Sequence, residues 1–352
     1  MNDAAGIPEL DVALLAGFRF SCRPDCGLCC YAEPRVTGSE KSRLLQIAPE
    51  VEFVGHGADE FVAARPNGGA CGLLDENRCG AHAARPHPCR EFPLTAHVGT
   101  RIQATVVLSC PGVAIGHLAR TETTVARASA PGFPDELAAL RERLDGSSLP
   151  RLEATTRRRR KVVRRLESEG RWVGEDEVRR ALARAIPVPT DADFPSPDPP
   201  PVEDGIELLP LCFDGRAAPV AFAEGLGGWE LLELRPEGSV ARSLGVIPPP
   251  ERRPSCEPAA VALLAGYLRY WLDRDALFGT VHLAMMDSDE GTVRDRVEDE
   301  LRSIGALVLS RAEVRAKVRR GTADRLSAVD VEAGIRATDQ DLLDRLGWGD
   351  RF

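Results

Sequence analysis

Eight cysteines fall between Cys22 and Cys110, and four of them crowd into nine residues as Cys22-x3-Cys26-x2-Cys29-Cys30. Cys71, Cys79, Cys89 and Cys110 follow. Packing alone does not call for such density. Clustered thiolates are what soft metals and iron–sulfur clusters require. Cys22, Cys26 and Cys29 can turn inward from one tight loop and cap one face of an ion or cluster. Cys30 follows Cys29 directly, and neighbouring side chains on an extended backbone diverge, so Cys30 is expected to serve a second site or to donate from another side. Eight thiolates suffice for two four-cysteine zinc sites, for two cubane clusters, or for one cluster with the remaining thiols structural. A zinc site shows paired knuckles. Here only the first half has one, and Cys71-x7-Cys79-x9-Cys89 is spread out. Spread ligands favour an iron–sulfur cluster of the 4Fe-4S kind, with zinc as the alternative.

Composition narrows the setting. The chain has 352 residues, 43% hydrophobic and 5% aromatic, enough for a sizeable core with few rings to fill it. No stretch has the length and apolarity of a membrane span. Met1 to Leu15 carries Asp3, Glu9 and Asp11 and no basic residue, which does not read as a secretory leader. The expectation is a cytoplasmic protein with reduced thiols, where clustered cysteines mean metal or redox chemistry more than disulfides. The net charge of −9 divides into −3 for residues 1–118, +5 for 119–186 and −11 for 187–352. An acidic total argues against a general nucleic-acid binder and leaves a protein substrate or partner as the expected interaction.

The residues around the thiols carry a resemblance. Phe20-x-Cys22, Cys26-Gly27-x-Cys29-Cys30, Cys71-Gly72-Leu73-Leu74, Cys79, Arg85-Pro86-x-x-Cys89-Arg90-x-Phe92-Pro93 and Cys110-Pro111-Gly112 resemble the CxxCxxCC family. That family is also called the YkgJ-type cysteine cluster family of zinc- or iron-chelating proteins. The resemblance covers about residues 17–115, with three residues in the first interval where the family name has two. It implies metal ligation by Cys22, Cys26, Cys29, Cys30, Cys71, Cys79, Cys89 and Cys110. The cluster is also similar to that of the flagellin lysine N-methylases. That likeness implies an iron–sulfur cluster, S-adenosylmethionine and methyl transfer to protein lysine. The alternative is a non-catalytic metalloprotein with a structural, sensory or electron-transfer role. Arg90 is a candidate for the shell around the cofactor, hydrogen-bonding a cluster sulfide or offsetting thiolate charge; the plainer reading pairs it with an acid such as Glu91. His82, His87 and His97 are minor ligand candidates beside eight thiols.

The elements that must position these residues read as follows. The fold class is α+β. Residues 1–118 form an irregular, loop-rich metal domain, with a helix from Ser39, its N-cap, to Ile47. A β-branched strand, Arg101 to Leu108, would return Cys110 to the site. Residues 119–186 are helical: Leu137, Leu140 and Leu144 lie at helical spacing, a second helix runs from about Pro150 to Gly170, and a third from Glu175 to Ile186. Residues 187–204 are a proline-rich acidic linker. Residues 205–352 form a separate α+β domain of unassigned role. It has strands over Ile206–Cys212, Ala218–Ala223 and Trp229–Leu234, then helices over Pro258–Trp271, Glu290–Ile304, Arg311–Lys317 and Asp339–Leu346.

Other features have plain explanations. The basic run Arg157–Arg160, Lys161, Arg164 and Arg165 is a solvated helix face. Glu224-Gly225-Leu226-Gly227-Gly228 is a hairpin turn more than a nucleotide loop, since a strand follows it. Cys212 and Cys256 are packed thiols. Asp287, Asp289 and Glu290 mark the start of a helix.

Overall fold

The computed structural model describes residues 10–345 except 24–25, 31–32, 57–58, 66–69, 77, 99–100, 120–131, 148, 188, 190–205, 214–215, 226–227, 236–239, 248–253 and 287–290. The fold is α+β. Most of the linker stretch, and Asp287, Asp289 and Glu290, lie outside the described residues.

One large hydrophobic core gathers residues from Leu15 to Ile335. At its centre runs the strand Ile102–Val106, all five residues buried. It pairs antiparallel with Leu94–Val98, Leu94 opposite Val106, and parallel with Leu10–Asp11. A strand buried on both faces needs apolar or hydrogen-bonded side chains throughout. Ile102, Ala104 and Val106 supply the first kind, and Gln103 the second: its amide donates to the Asp273 carbonyl at 3.0 Å.

Helices cover this sheet. Helix α1 (Gly38–Ile47) begins one residue before the expected start, because Thr37 and not Ser39 caps it. Thr37 accepts from the Glu40 N–H while Glu40 accepts from Thr37, a reciprocal capping box. α2 (His87–Glu91) is one turn. α3 (Pro134–Ser147) buries Leu137, Leu140 and Leu144, as their spacing requires. α4 (Leu149–Ser168) and α5 (Glu175–Arg184) follow the expected bounds within two residues. On α4 the basic run splits. Arg159 is buried against Glu175 at 2.7 Å, whereas Arg157, Arg160, Lys161 and Arg164 face solvent.

The four-stranded antiparallel meander runs in chain order: Ile206–Phe213, Arg216–Gly225, Gly228–Leu234 and Val240–Ile247. Gly225 pairs with Gly228, so the glycine stretch closes a hairpin. α6 (Pro258–Asp273) and α7 (Asp275–Ala284) are joined only by Arg274. α7 has no sequence periodicity, because it is apolar nearly all round and buried so. The two expected helices Glu290–Ile304 and Arg311–Lys317 are one, α8 (Val293–Arg320). The interval Ile304–Leu309 breaks the amphipathic pattern because it passes through the core, not because the helix stops. Thr292 and Asp295 cap the start, and Gly321, at φ 74°, ends it. α9 (Ala328–Arg345) starts earlier than expected, where Ser327 and Asp330 exchange hydrogen bonds. α8 and α9 pack closely: a Cβ on Gly334 would lie 2.3 Å from the Val308 carbonyl oxygen. Cys256 is half-buried beside the main core.

A second, smaller core lies under the cysteine loops and contains Val36, Leu44, Val62, Cys71, Leu73, Ala81 and Ala84. Among the described residues no helix is long and apolar enough to cross a membrane.

Candidate metal centre

The eight thiols reach one place by five short routes. The strand Arg19–Phe20 pairs with Val113–Ala114, and the Ser21 N–H donates to the Gly112 carbonyl at 3.0 Å. That clasp brings the chain leading to Cys22 onto the segment that follows Cys110. Gly112 permits it, since a Cβ there would lie 2.5 Å from the Ser21 carbonyl oxygen. After Cys26, Gly27 adopts φ 61° and starts the tight turn Leu28–Cys30. The Cys71 N–H then donates to the Cys30 carbonyl at 2.6 Å, which locks the second arm to the first. A two-residue-per-strand hairpin, Leu74–Asp75 with Arg78–Cys79, brings in Cys79 opposite Leu74. Pro86 precedes α2, which carries Cys89 on its inner face.

The result is a cavity of about 530 Å³ lined by Cys22, Cys26, Cys29, Cys30, Cys71, Cys79, Cys89 and Cys110. Cys71 and Cys110 are buried at its floor, and Cys22 and Cys29 belong to its exposed side. Phe20, Phe92 and Leu73 add apolar wall; Arg85 and Glu136 add charge, and His82, held below its ordinary value by Arg85, adds a neutral ring. Among the described residues no three Cys, His, Asp or Glu side chains form a group set to hold a single ion. The thiols ring a volume.

Cys30 lines the same cavity as Cys29. The backbone there is a 3₁₀ turn, which sets successive side chains about 120° apart and not on opposite faces. The two sulfurs hydrogen-bond. The Cys30 thiol's bond, helped by Arg85, holds Cys29 down at about 7 against its own desolvation. The same contact, with burial, drives the Cys30 thiol far above its usual range. Burial raises Cys22, Cys71, Cys79 and Cys89, and it pushes Cys110 up to about 12. Neighbouring sulfurs reinforce the rise at Cys89, where Cys29, Cys71 and Cys79 all oppose a further negative charge. Such a site is unfavourable for bare thiolates and favourable for a cation, which deprotonates a coordinating thiol outright. The donor chemistry fits a thiolate-bound metal group.

Arg90 is not brought to the thiols. Its guanidinium lies 3.1 Å from Glu142 and contacts the His87 ring at 2.9 Å. On a helix successive side chains differ by about 100°, so with Cys89 facing in, Arg90 faces away. Arg23, Arg78 and Arg85 line the cavity, and the field of Arg85 acts on Cys22, Cys29, Cys79 and Cys89. His82 lines the cavity; His87 and His97 do not. His87 instead helps bind α2 to α1, its N–H donating to buried Glu40 at 2.8 Å. Glu91, raised to about 7 by burial, takes a 2.7 Å ion pair from Arg143 of α3.

The structure adds residues that no local sequence pattern marks. The Cys110 loop is held from the far end of the chain. Arg336 of α9 donates to the carbonyls of Leu108, Cys110 and Val113 at 3.2, 2.6 and 2.9 Å. Asp339 accepts from the Leu108 N–H at 2.7 Å and forms a fully buried ion pair with Arg274 at 2.7 Å. Arg274 also donates to the Val106 carbonyl at 2.7 Å, and the Tyr270 hydroxyl accepts from the Val106 N–H at 2.8 Å.

A loop-built, thiol-lined cavity of this kind defines a metal-chelating domain. Residues 21–111 match the model of the CxxCxxCC family, described as a "Putative zinc- or iron-chelating domain". The match covers 91 of the 352 residues and shows a likeness of that stretch to the family. No curated protein and no solved structure matches the chain.

Proposed function

We propose that the chain is a cytoplasmic metalloprotein whose eight cysteines together hold an iron–sulfur centre of the 4Fe-4S kind. The observation that carries this reading is that all eight thiols line one cavity of about 530 Å³. A closed zinc site needs four donors at about 2.3 Å from one ion. A cubane cluster also takes four thiolates, but on irons spread over a wider span, so thiols that ring a volume suit it, with eight enough for two clusters or for one with the remaining thiols structural. When bound, such a centre supplies one-electron transfer at a potential set by hydrogen bonding and exposure. The protein's own residues set those conditions. Cys71 and Cys110 hold the buried side, Cys22 and Cys29 the open side, and Arg85 offsets thiolate charge.

The test is anaerobic purification followed by metal analysis, acid-labile sulfide and a visible spectrum. Iron with matching sulfide and a band near about 400 nm supports the reading. Zinc without iron or sulfide overturns the cluster and leaves a closed structural site. Titration of the same loaded protein with S-adenosylmethionine tests the methyl transfer that the flagellin lysine N-methylase resemblance implies; absence of binding heat removes it.

A further inference from the structure

We propose that Arg336 is the positioning residue for the Cys110 ligand, so that metal retention and the seating of α9 on the Cys110 loop are thermodynamically linked. The inference rests on the reading of Cys110 as a metal ligand.

Cys110 is reached by a short irregular loop after the strand Ile102–Val106, and a loop by itself does not fix a side chain to the tolerance that ligation needs. Here the backbone of that loop is held by one guanidinium. Arginine has five N–H donors, and Arg336 makes five hydrogen bonds: three to the carbonyls of Leu108, Cys110 and Val113, and two to Glu332, which orients it at 3.0 and 2.7 Å. The three carbonyls bracket the ligand on both sides. At the same Leu108, the N–H donates to Asp339 at 2.7 Å. Both residues lie on α9, three apart and therefore on one face. Arg336 and Asp339 are buried, at 8% and 0% exposure, so water does not replace the bonds they make. Lysine has one nitrogen and three donors and cannot span the same three carbonyls.

Linkage makes the coupling reciprocal. If α9 holds Cys110 in place for the metal, then bound metal holds the loop in place for α9. The α9 helix then responds to whether the centre is filled, although it supplies no thiol to it.

The experiment uses the full chain, purified anaerobically with its own metal, and follows metal loss to excess EDTA. Four variants are compared with the parent: Cys110→Ser, Arg336→Gln, Arg336→Lys and Arg315→Gln. The last breaks the buried Arg315–Asp330 pair between α8 and α9, 2.7 Å long, without touching the Cys110 loop. Arg336→Gln is expected to speed metal loss by about 10- to 100-fold, as removal of a ligand's supporting bond does elsewhere, with Arg336→Lys in between. Arg315→Gln is expected to lower thermal stability and leave the loss rate near the parent's. The proposal is overturned if Arg336→Gln retains metal like the parent while Cys110→Ser does not, or if Arg315→Gln loses metal as fast as Arg336→Gln. If Cys110→Ser itself retains metal normally, the fault lies with the assignment of Cys110 as a ligand. Should Arg336→Gln not fold, hydrogen exchange on the parent decides. Amides of 330–340 are expected to lose protection when metal is removed, and unchanged protection there, with loss at 107–113, overturns the linkage.

Discussion

The two cores of this molecule are built on different terms. The large one is continuous, buried on both faces of Ile102–Val106, and pinned by charged groups that reach across more than 200 residues, as Asp339 does to Leu108. The small one has seven buried members and is assembled from turns, two-residue strands and one capped helix. The thiol cavity lies where they meet. Cys71 belongs to the small core, with Cys30 and Cys79 packed against it, whereas Cys110 belongs to the large one. Of these four thiols one is therefore tied to the rigid frame, and three to loops that few apolar contacts support. A metal that bridges both contributes most to the weaker half, because binding free energy there becomes folding free energy.

That contrast can be broken at several points. The largest effect is expected from Asp339→Ala. It strips Arg274, which is fully buried, of its carboxylate and frees the Tyr267 hydroxyl and the Leu108 N–H at once. An uncompensated buried charge costs about 3–5 kcal/mol, to be read from denaturant unfolding. A loss below about 1 kcal/mol would mean that the network is not what fixes the large core.

Acid should act next, and on the same core. His282 of α7 is fully buried, packs on Trp172 with ring centroids 4.9 Å apart, and has no hydrogen-bond partner at either ring nitrogen among the described residues. Burial, then the nearby Arg159, lowers it to about 3. Because the folded value lies below the unfolded one, the unfolded chain binds the proton first. Its contribution is whole above about pH 6.5 and is lost as pH falls toward 3, about 3 kcal/mol between pH 7 and pH 4. His282→Phe should flatten that part of the stability profile; a profile of unchanged slope would rule the histidine out as its source.

The small core should answer locally. Leu44→Ala is expected to cost about 2–3 kcal/mol, with exchange protection falling within residues 36–84 and holding at 102–106. Equal loss in both regions would show a single cooperative unit and end the distinction. The smallest effect is expected from Thr37→Ala, which removes the α1 cap and costs about 1 kcal/mol, again confined to the small core.

The cysteines were legible because their chemistry resides in residue type and spacing. The same holds for α3, whose leucines repeat with helical period, and for the strand that precedes Cys110, rich in β-branched residues. What escaped the sequence depends on depth or on distance. α8 is unbroken because its apolar middle is buried all round, and burial erases the amphipathic signal. Arg90 and Arg85 flank one short motif, and only the phase of a single helical turn decides which of them meets the sulfurs. Arg336 and Asp339 look like ordinary charges on a helix. Their partners around Cys110 are backbone groups 223 to 231 positions away, and such partners have no local signature.

The clasp between Ser21 and Gly112 has one more consequence. The stretch that matches the chelating domain begins at Ser21 and ends at 111, and Ser21 is hydrogen-bonded to the very next residue, Gly112. The ends of this 91-residue stretch touch, yet its strand Ile102–Val106 is the middle of the large core. The thiol-bearing loops therefore cannot be lifted out as an insert with a single point of attachment, because removing the stretch removes the strand on which the rest of the chain packs.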